Sequence, residues 1–373
     1  MPDSVLFQPL QVGAWRLNNR IVMAPLTRSR ASGEGNPTEL HALYYAQRAS
    51  AGLVIAEATQ ISPEGQGYLR TPGIYSDAQI ATWRAVTDSV HRAGGAIVLQ
   101  LWHVGRIGHP ANRLIPDPPV GASEIAAPGT IYTPKGLVPF PRPRALELQE
   151  FPRLVEDYAQ AARNARRAGF DGVEIHAANG YLIDSFLHDG TNRRTDRYGG
   201  SFENRTRLLA EIVQATGDAI GRDRIGVRLS PFGSFNGVED SDPASLFDYV
   251  VRRMDTLDLA YLHVINPEVS GDHSVASPDT AGTDVPSFVR TRFSGRLIVA
   301  GGYDKASAER AIASGLTDLV AFGRAFIANP DLPQRLALNV ALNEPDRRTF
   351  YTSGPDGYID YPALNGSIDG KLP

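Results

Sequence analysis

Short runs of β-branched and aliphatic residues recur along the chain, and most are followed by a stretch whose apolar positions return every three or four residues. The first pattern predicts buried strands and the second amphipathic helices. The strand-like runs are NRIVMAP from Asn19, GLVIAEA from Gly52, GAIVLQLW from Gly95 and DGVEIHA from Asp171, followed by IGVRLS from Ile225, LAYLHVI from Leu259, RLIVAGG from Arg296 and TDLVAFG from Thr317. Between them lie helical segments such as DAQIATWRAVTDSVHRAG and FPRLVEDYAQAARNARRAG, each closing on a glycine, as helices tend to end. Eight strand–helix units predict an α/β chain folded as a (β/α)8 TIM barrel. A doubly wound sheet is the main rival, but no GxGxxG follows the first run.

Two regions fall outside the repeat. The residues before Asn19 read as a short hairpin that would close the barrel floor. Residues 113–147 hold 8 of the 27 prolines and cannot form a long helix. This insertion after the third strand is expected above the barrel mouth as a partial lid, although a passive surface loop has the same composition. The expected organisation is one domain over residues 1–373.

Alternation along the strands assigns faces. Val98, Gln100 and Trp102 share one side of the third strand, with Ile97, Leu99 and Leu101 on the other. Glu174 and His176 oppose Val173 and Ile175, and Arg228 and Ser230 oppose Val227 and Leu229. The aliphatic sides suit the helix layer, so the polar sides point inward. Gln100, Trp102, His176 and Arg228 then converge at the carboxyl ends of neighbouring strands, where barrels carry their sites. Thr27 joins the same rim. A buried arginine needs an acceptor; the motif offers none for Arg228, and a ligand would supply one.

Composition narrows the chemistry. With 37 basic and 41 acidic residues, a formal charge of −4 gives no footprint for nucleic acid or an anionic membrane. The start lacks a secretory pattern, and no apolar run reaches a membrane span, so a cytoplasmic protein is expected. The absence of cysteine removes disulfides, thiolate metal sites and cysteine nucleophiles. No HExxH is present and no metal is expected. His103 and His263 are expected to satisfy the barrel interior. Asn204-Arg-Thr and Asn365-Gly-Ser match the glycosylation triplet but read as chance without a secretory signal.

In GVEIHAANGY, His176, Asn179 and Tyr181 crowd the end of a strand. Histidine and asparagine donate hydrogen bonds, and tyrosine can also give up a proton. The trio could bind an oxygen atom and deliver a proton near it, or merely stabilise a turn. The seventh and eighth strands end in Ala300-Gly301-Gly302 and Phe322-Gly323-Arg324. Glycines let the backbone approach an anion, a following helix aims its N–H groups at it, and Arg324 adds a planar fork for phosphate. Tight turns alone would also use these glycines.

Taken in order, several segments resemble the Old Yellow Enzyme family of flavin-dependent ene-reductases. They are NRIVMAPLTRSRA, YYAQRASAGLVIAEATQIS, VLQLWHVGRIGHP, GFDGVEIHAANGYLIDSFLHDGTNRRTDRYGGSFENR, VAFGRAFIANPDLP and FYTSGPDGYIDYPAL, spanning about Leu6 to Leu364. The resemblance implies non-covalent FMN at the barrel mouth, with NADPH or NADH as reductant and activated alkenes as substrates. Pro25, Leu26 and Thr27 would line the flavin, and Ala58, Gln100 and Arg228 would hold its pyrimidine edge. Gly301, Gly302, Phe322, Gly323 and Arg324 match the phosphate side. His176 and Asn179 match the pair that binds the substrate oxygen, Tyr181 the proton donor, and Tyr68, Trp102 and Tyr351 the pocket walls. Thr27 stands where a second branch of the family carries cysteine. SPFGSFNGVEDSD and NPEVSGDHSVASPDT follow no transferable pattern, and Gly108 sits where relatives carry a bulkier residue. A monomer or weak dimer is expected. A flavin-free barrel hydrolase or aldolase and a flavin-binding sensor are the alternatives from other classes.

Overall fold

The computed structural model describes residues 4–267, 269–270, 273–274 and 284–364. The Asn365 triplet, the first three residues and most of NPEVSGDHSVASPDT lie outside the described residues. A hairpin of β1 (Leu10–Val12) and β2 (Trp15–Leu17) precedes the first barrel strand, β3 (Ile21–Met23). Next come β4 (Leu53–Gln60) and β5 (Ile97–Trp102). The insertion then forms β6 (Val120–Gly121), β7 (Thr130–Thr133), β8 (Gly136–Pro139) and β9 (Arg144–Ala145). The barrel resumes with β10 (Gly172–Ala177), β11 (Ile225–Leu229) and β12 (Tyr261–Ile265). A small pair, β13 (Val269–Ser270) and β14 (His273–Ser274), separates these from β15 (Leu297–Ala300) and β16 (Leu319–Phe322). Strands β3, β4, β5, β10, β11, β12, β15 and β16 close in that order into a parallel barrel, matching all eight strand-like runs.

Local chemistry fixes the helices around it. Ser76 accepts a hydrogen bond from Gln79 N–H while the Gln79 side chain caps the Ser76 N–H, a reciprocal pair that starts the helix Asp77–Arg92. Ser201 caps the helix Phe202–Ile220 by a single bond from Asn204 N–H, with Glu203 in its first turn. Gly94 and Gly169, at φ 80° and 89°, follow the ends of the helices Asp77–Arg92 and Phe151–Arg167. Both adopt the left-handed conformation that glycine takes at least cost.

The two faces of the strands behave as the alternation predicts. Ile97, Leu99, Leu101, Val173, Ile175, Val227 and Leu229 pack in the core shared with the helices, whereas Val98 packs inside the barrel with Val22, Leu53, Ile55 and Ile298. The β1–β2 hairpin closes the floor: Val12, Trp15 and Leu17 join that inner cluster, and Trp15 Nε1 donates to Asp171 O.

One strand departs from strict alternation. The register of β4 against β5 shifts between Ala56 and Thr59. Unbroken alternation would turn Glu57 inward with Leu53 and Ile55. The bulge turns it out against the helix Glu39–Ala46, where the Tyr45 hydroxyl donates to its carboxylate at 3.3 Å. Ala58 thereby faces the mouth.

Candidate active site

The carboxyl ends of the barrel strands surround a cavity of about 1200 Å³. Every residue to which the family resemblance gave a site role lines it: Pro25, Leu26 and Thr27 after β3, Ala58 on β4, Tyr68 beyond it, and Gln100 and Trp102 on β5. His176, Asn179 and Tyr181 contribute from β10 and its following turn, Arg228 from β11, Gly301 and Gly302 after β15, Phe322, Gly323 and Arg324 at the end of β16, and Tyr351 near the C-terminus. Pro128, Thr130, Tyr132 and Phe140 cover part of the opening. The proline-rich insertion, the lid segment, therefore supplies part of the cavity wall.

The floor is polar and buried. His176 and Arg228 are direct partners across β10 and β11, as Glu174 and Gln100 are across β10 and β5. Glu174 accepts from Gln100 Nε2 at 2.8 Å and lies 2.9 Å from His263 Nδ1. Burial pushes the Glu174 carboxyl up, but His263, Arg228 and Gln100 outweigh it and hold the pKa below the ordinary carboxylate value. Sequence reasoning placed Glu174 on this face without giving it a task; its task is to orient Gln100 and to counter the charge of Arg228. His263 fills the interior as expected and is fully buried.

Arg228 makes no ion pair within 4 Å among the described residues, and its Nε has no hydrogen-bond partner. Burial lowers its pKa, and Glu174 is the largest opposing influence. A guanidinium keeps its charge in either case. The motif thus supplies a field from Glu174 but no acceptor, and a buried unpaired ion costs on the order of several kcal/mol.

Above the floor stands an aromatic wall. Trp102 stacks on Tyr68 with ring centres 5.7 Å apart and meets Tyr181 edge-on at 4.9 Å. The His176 and Tyr181 rings meet edge-on at 5.1 Å. Burial, reinforced by Arg228 and then His263, drives the His176 pKa well below its ordinary value, so the imidazole is neutral with one N–H to give. Its Nδ1 has no protein partner. Burial also raises the Tyr181 phenol well above its usual range, and Tyr68 raises it further. Tyr181 therefore stays protonated near neutral pH.

Asn179 sits at φ 60°, a conformation asparagine tolerates better than most side chains. Its N–H donates to Ser230 Oγ at 2.8 Å, and the N–H of Gly180 donates to the buried carboxylate of Asp184 at 2.7 Å. This pinned turn carries Asn179 and Tyr181 to the cavity.

The glycine ends of β15 and β16 are not equivalent. Gly301 and Gly302 take φ 107° and 77°, and a Cβ on Gly302 would meet open space. In the helix that follows, Lys305–Ala313, Asp304 takes the Ser307 N–H at 2.8 Å, so that one group is already satisfied within the protein. The helix Arg324–Ala328 has no side-chain cap, since Gly323 has no side chain to give one.

Three features went unread in the sequence. Arg28 and Arg30, both buried, clamp the segment that carries Tyr351: Arg28 donates to Phe350 O and Gly357 O, and Arg30 to Thr349 O, Phe350 O, Gly354 O and Asp356 O. Only the density of arginine in TRSR hinted at this. Phe235, Asn236 and Gly237, from the segment that followed no pattern, line the cavity. At Gly108 a Cβ would lie 2.9 Å from Arg113 Nη2, so the guanidinium takes the space a larger residue would need.

Among the described residues no group of histidines and carboxylates could hold a metal ion, and no helix is long and apolar enough to cross a membrane. The profile of the NADH:flavin oxidoreductase / NADH oxidase family matches residues 5–343. 12-Oxophytodienoate reductase 1 of Oryza sativa subsp. japonica is 45% identical over 368 residues, covering 96% of this chain and 93% of the rice protein. 12-Oxophytodienoate reductase 2 of Arabidopsis thaliana is 42% identical, covering 97% and 96%. Among solved structures, the old yellow enzyme homologue from Zymomonas mobilis superposes with a TM-score of 0.92 at 46% identity, covering 96% of this chain and 99% of that one. Morphinone reductase in complex with tetrahydroNAD gives 0.90 at 48% identity, covering 98% and 99%.

Proposed function

Because the chain belongs to the Old Yellow Enzyme family of NADH:flavin oxidoreductases, we propose that it is an FMN-dependent ene-reductase acting on enones, maleimides and nitroalkenes, and through the same oxygen hold on nitrate esters. Its relatives make it an NAD(P)H-dependent flavin oxidoreductase; NADPH and NADH are both carried forward as reductants. The observation that carries the reading is a charged, buried Arg228 with an unpartnered Nε, set below a neutral His176 whose own Nδ1 is unpartnered.

The donor set fits FMN. Arg228 lacks an acceptor that an electron-rich ring edge would provide, and Gln100 is held in one orientation by Glu174. Ala58, Gln100 and Arg228 would hold the pyrimidine edge, with Pro25, Leu26 and Thr27 along the ring. Gly301, Gly302, Phe322, Gly323 and Arg324 would take the phosphate side. When bound, FMN accepts hydride from nicotinamide and returns it to the β-carbon of an activated alkene.

The remaining work falls to the protein. His176 and Asn179 donate to the substrate's carbonyl or nitro oxygen, where negative charge grows as the alkene is reduced. Aimed donors of this kind typically contribute ~3–4 kcal/mol each to a transition state. Tyr181 donates its proton to the α-carbon. Tyr68, 3.3 Å from the Tyr181 hydroxyl, can donate to that oxygen and so turn its proton toward the substrate. A positioned acid contributes roughly 10²–10⁴-fold. Trp102, Tyr68 and Tyr351 bound the space above and limit substrate shape.

The test is direct. Purified protein should be yellow, release FMN on denaturation, and oxidise NADPH or NADH when cyclohexenone or N-ethylmaleimide is added. A colourless protein that FMN does not restore would return the barrel to the hydrolase or aldolase reading. A yellow protein that turns over none of these alkenes would favour a sensing module.

A further inference from the structure

The loop after β11 grips the turn that carries Asn179 from both sides. Asn179 N–H donates to Ser230 Oγ at 2.8 Å, and Asn236 Nδ2 donates to Asn179 O at 2.8 Å. Both backbone polar groups of that one residue are thus satisfied by residues six apart in a single loop. Packing reinforces the grip. A Cβ added at Gly180 would lie 2.5 Å from Phe235 O and 2.7 Å from Asn236 Cβ, so the loop rests directly on the turn.

The loop is in turn tied to the lid. Arg106, 2% exposed, donates through Nη2 to both Asn236 O and Gly237 O at 2.8 Å. Its Nη1 reaches Ile125 O at 3.3 Å and Ala126 O at 3.2 Å, at the root of the lid. A Cβ at Gly237 would fall 2.4 Å from Pro128 Cδ, in the lid itself. Asn236 and Gly237 take φ 61° and 69° in succession, a left-handed pair that asparagine and glycine both tolerate and that a neighbour can hold in place. Arg106 holds it through the carbonyls of both residues.

We propose that Asn236 is a positioning residue for substrate recognition: its amide, held by Arg106 beneath the lid, fixes the carbonyl of Asn179 and so aims the Asn179 side chain at the substrate oxygen. This rests on the reading that His176 and Asn179 hold that oxygen. Only an N–H can face a carbonyl oxygen at this distance, so the amide nitrogen and not its oxygen makes the contact. A loop with no transferable sequence pattern would thereby set how firmly the oxygen is held.

Two substitutions separate positioning from folding, both in the FMN-loaded full chain. Asn236→Gly keeps the left-handed backbone and deletes the donor. Asn236→Asp keeps the shape but presents an ionised carboxylate to the Asn179 carbonyl, and restores a donor only when protonated. The probes are 4-hydroxybenzaldehyde, whose phenolate carries enolate-like charge, titrated by flavin absorbance, and cyclohexenone turnover. Asn236→Gly should raise the phenol Kd and lower kcat/KM by roughly 2- to 10-fold, the value of one net hydrogen bond. Asn236→Asp should show a larger deficit near pH 8 whose ratio to wild type closes as pH falls toward the ordinary carboxyl range. FMN content and Tm should match wild type in both.

Variants that bind and turn over like wild type overturn the proposal. So does an Asn236→Asp deficit that ignores pH, or losses that track FMN release or a lowered Tm. If wild type itself neither binds the phenol nor reduces the enone, the underlying reading of His176 and Asn179 fails instead.

Discussion

The hydroxyl oxygens of Tyr68 and Tyr181 lie 3.3 Å apart, inside a wall where Trp102 touches both rings. Burial pushes the Tyr68 phenol up to about 12 and Tyr181 well above its usual range, so both are protonated in any ordinary assay. Tyr181→Phe should leave flavin reduction by nicotinamide intact and slow alkene turnover by roughly 10²-fold or more. Tyr68→Phe keeps the acid and removes only its partner, so its effect should be smaller. Stopped-flow measurement of both half-reactions checks this; Tyr181→Phe traces unchanged in both would remove the phenol from the mechanism.

Replacing His176 and Asn179 together with Ala removes both donors proposed for the substrate oxygen. Phenolate ligands should then bind far more weakly, and alkene turnover should fall by about 10²–10³-fold or more. Undiminished titration of the flavin spectrum by the phenol would contradict the assignment.

Arg324 stands exposed at the rim beside the uncapped Gly323 turn. Arg324→Ala should lower FMN retention during dialysis. An exposed or half-buried charged hydrogen bond contributes roughly 1.5–3 kcal/mol, which is about 10- to 100-fold in affinity. Full flavin occupancy in the purified variant would argue that phosphate is held elsewhere.

Glu57 offers a test of stability. Burial raises its carboxyl to about 7, against opposing influences from Arg28 and Tyr45. A group whose pKa is higher folded than unfolded contributes stability that is complete below the unfolded value, near 4.5, and lost as pH rises through about 7. Glu57→Gln cannot ionise. Relative to wild type its Tm should therefore improve as pH rises from below 5 to above 7, read by thermal melts across that window. A constant difference would mean that Glu57 does not titrate there.

The barrel was legible because its physics is local. Alternation placed Gln100, His176 and Arg228 inward and Leu99, Ile175 and Leu229 outward. Alternation failed at Ala58, because one extra residue in a bulge exchanges the faces of everything beyond it and leaves no compositional mark. The grip of Arg28 and Arg30 was hidden for a different reason. Their acceptors are backbone carbonyls more than 300 positions away, and every residue carries one. Asp304 caps the helix after β15 by accepting from Ser307 N–H, a contact that the strand pattern does not mark.

That same grip orders events during synthesis. The eighth barrel strand is complete once Phe322 has left the ribosome, yet the carbonyls that satisfy Arg28 and Arg30 belong to residues 349–357. A nascent chain halted between these points lacks most of the carbonyls that Arg28 and Arg30 donate to, and leaves both guanidiniums to water and to Tyr44 and Arg28 O alone. The wall bearing Tyr351 is thus a late addition, and a tag or truncation that disturbs this stretch would be felt at the mouth before it reached the barrel beneath.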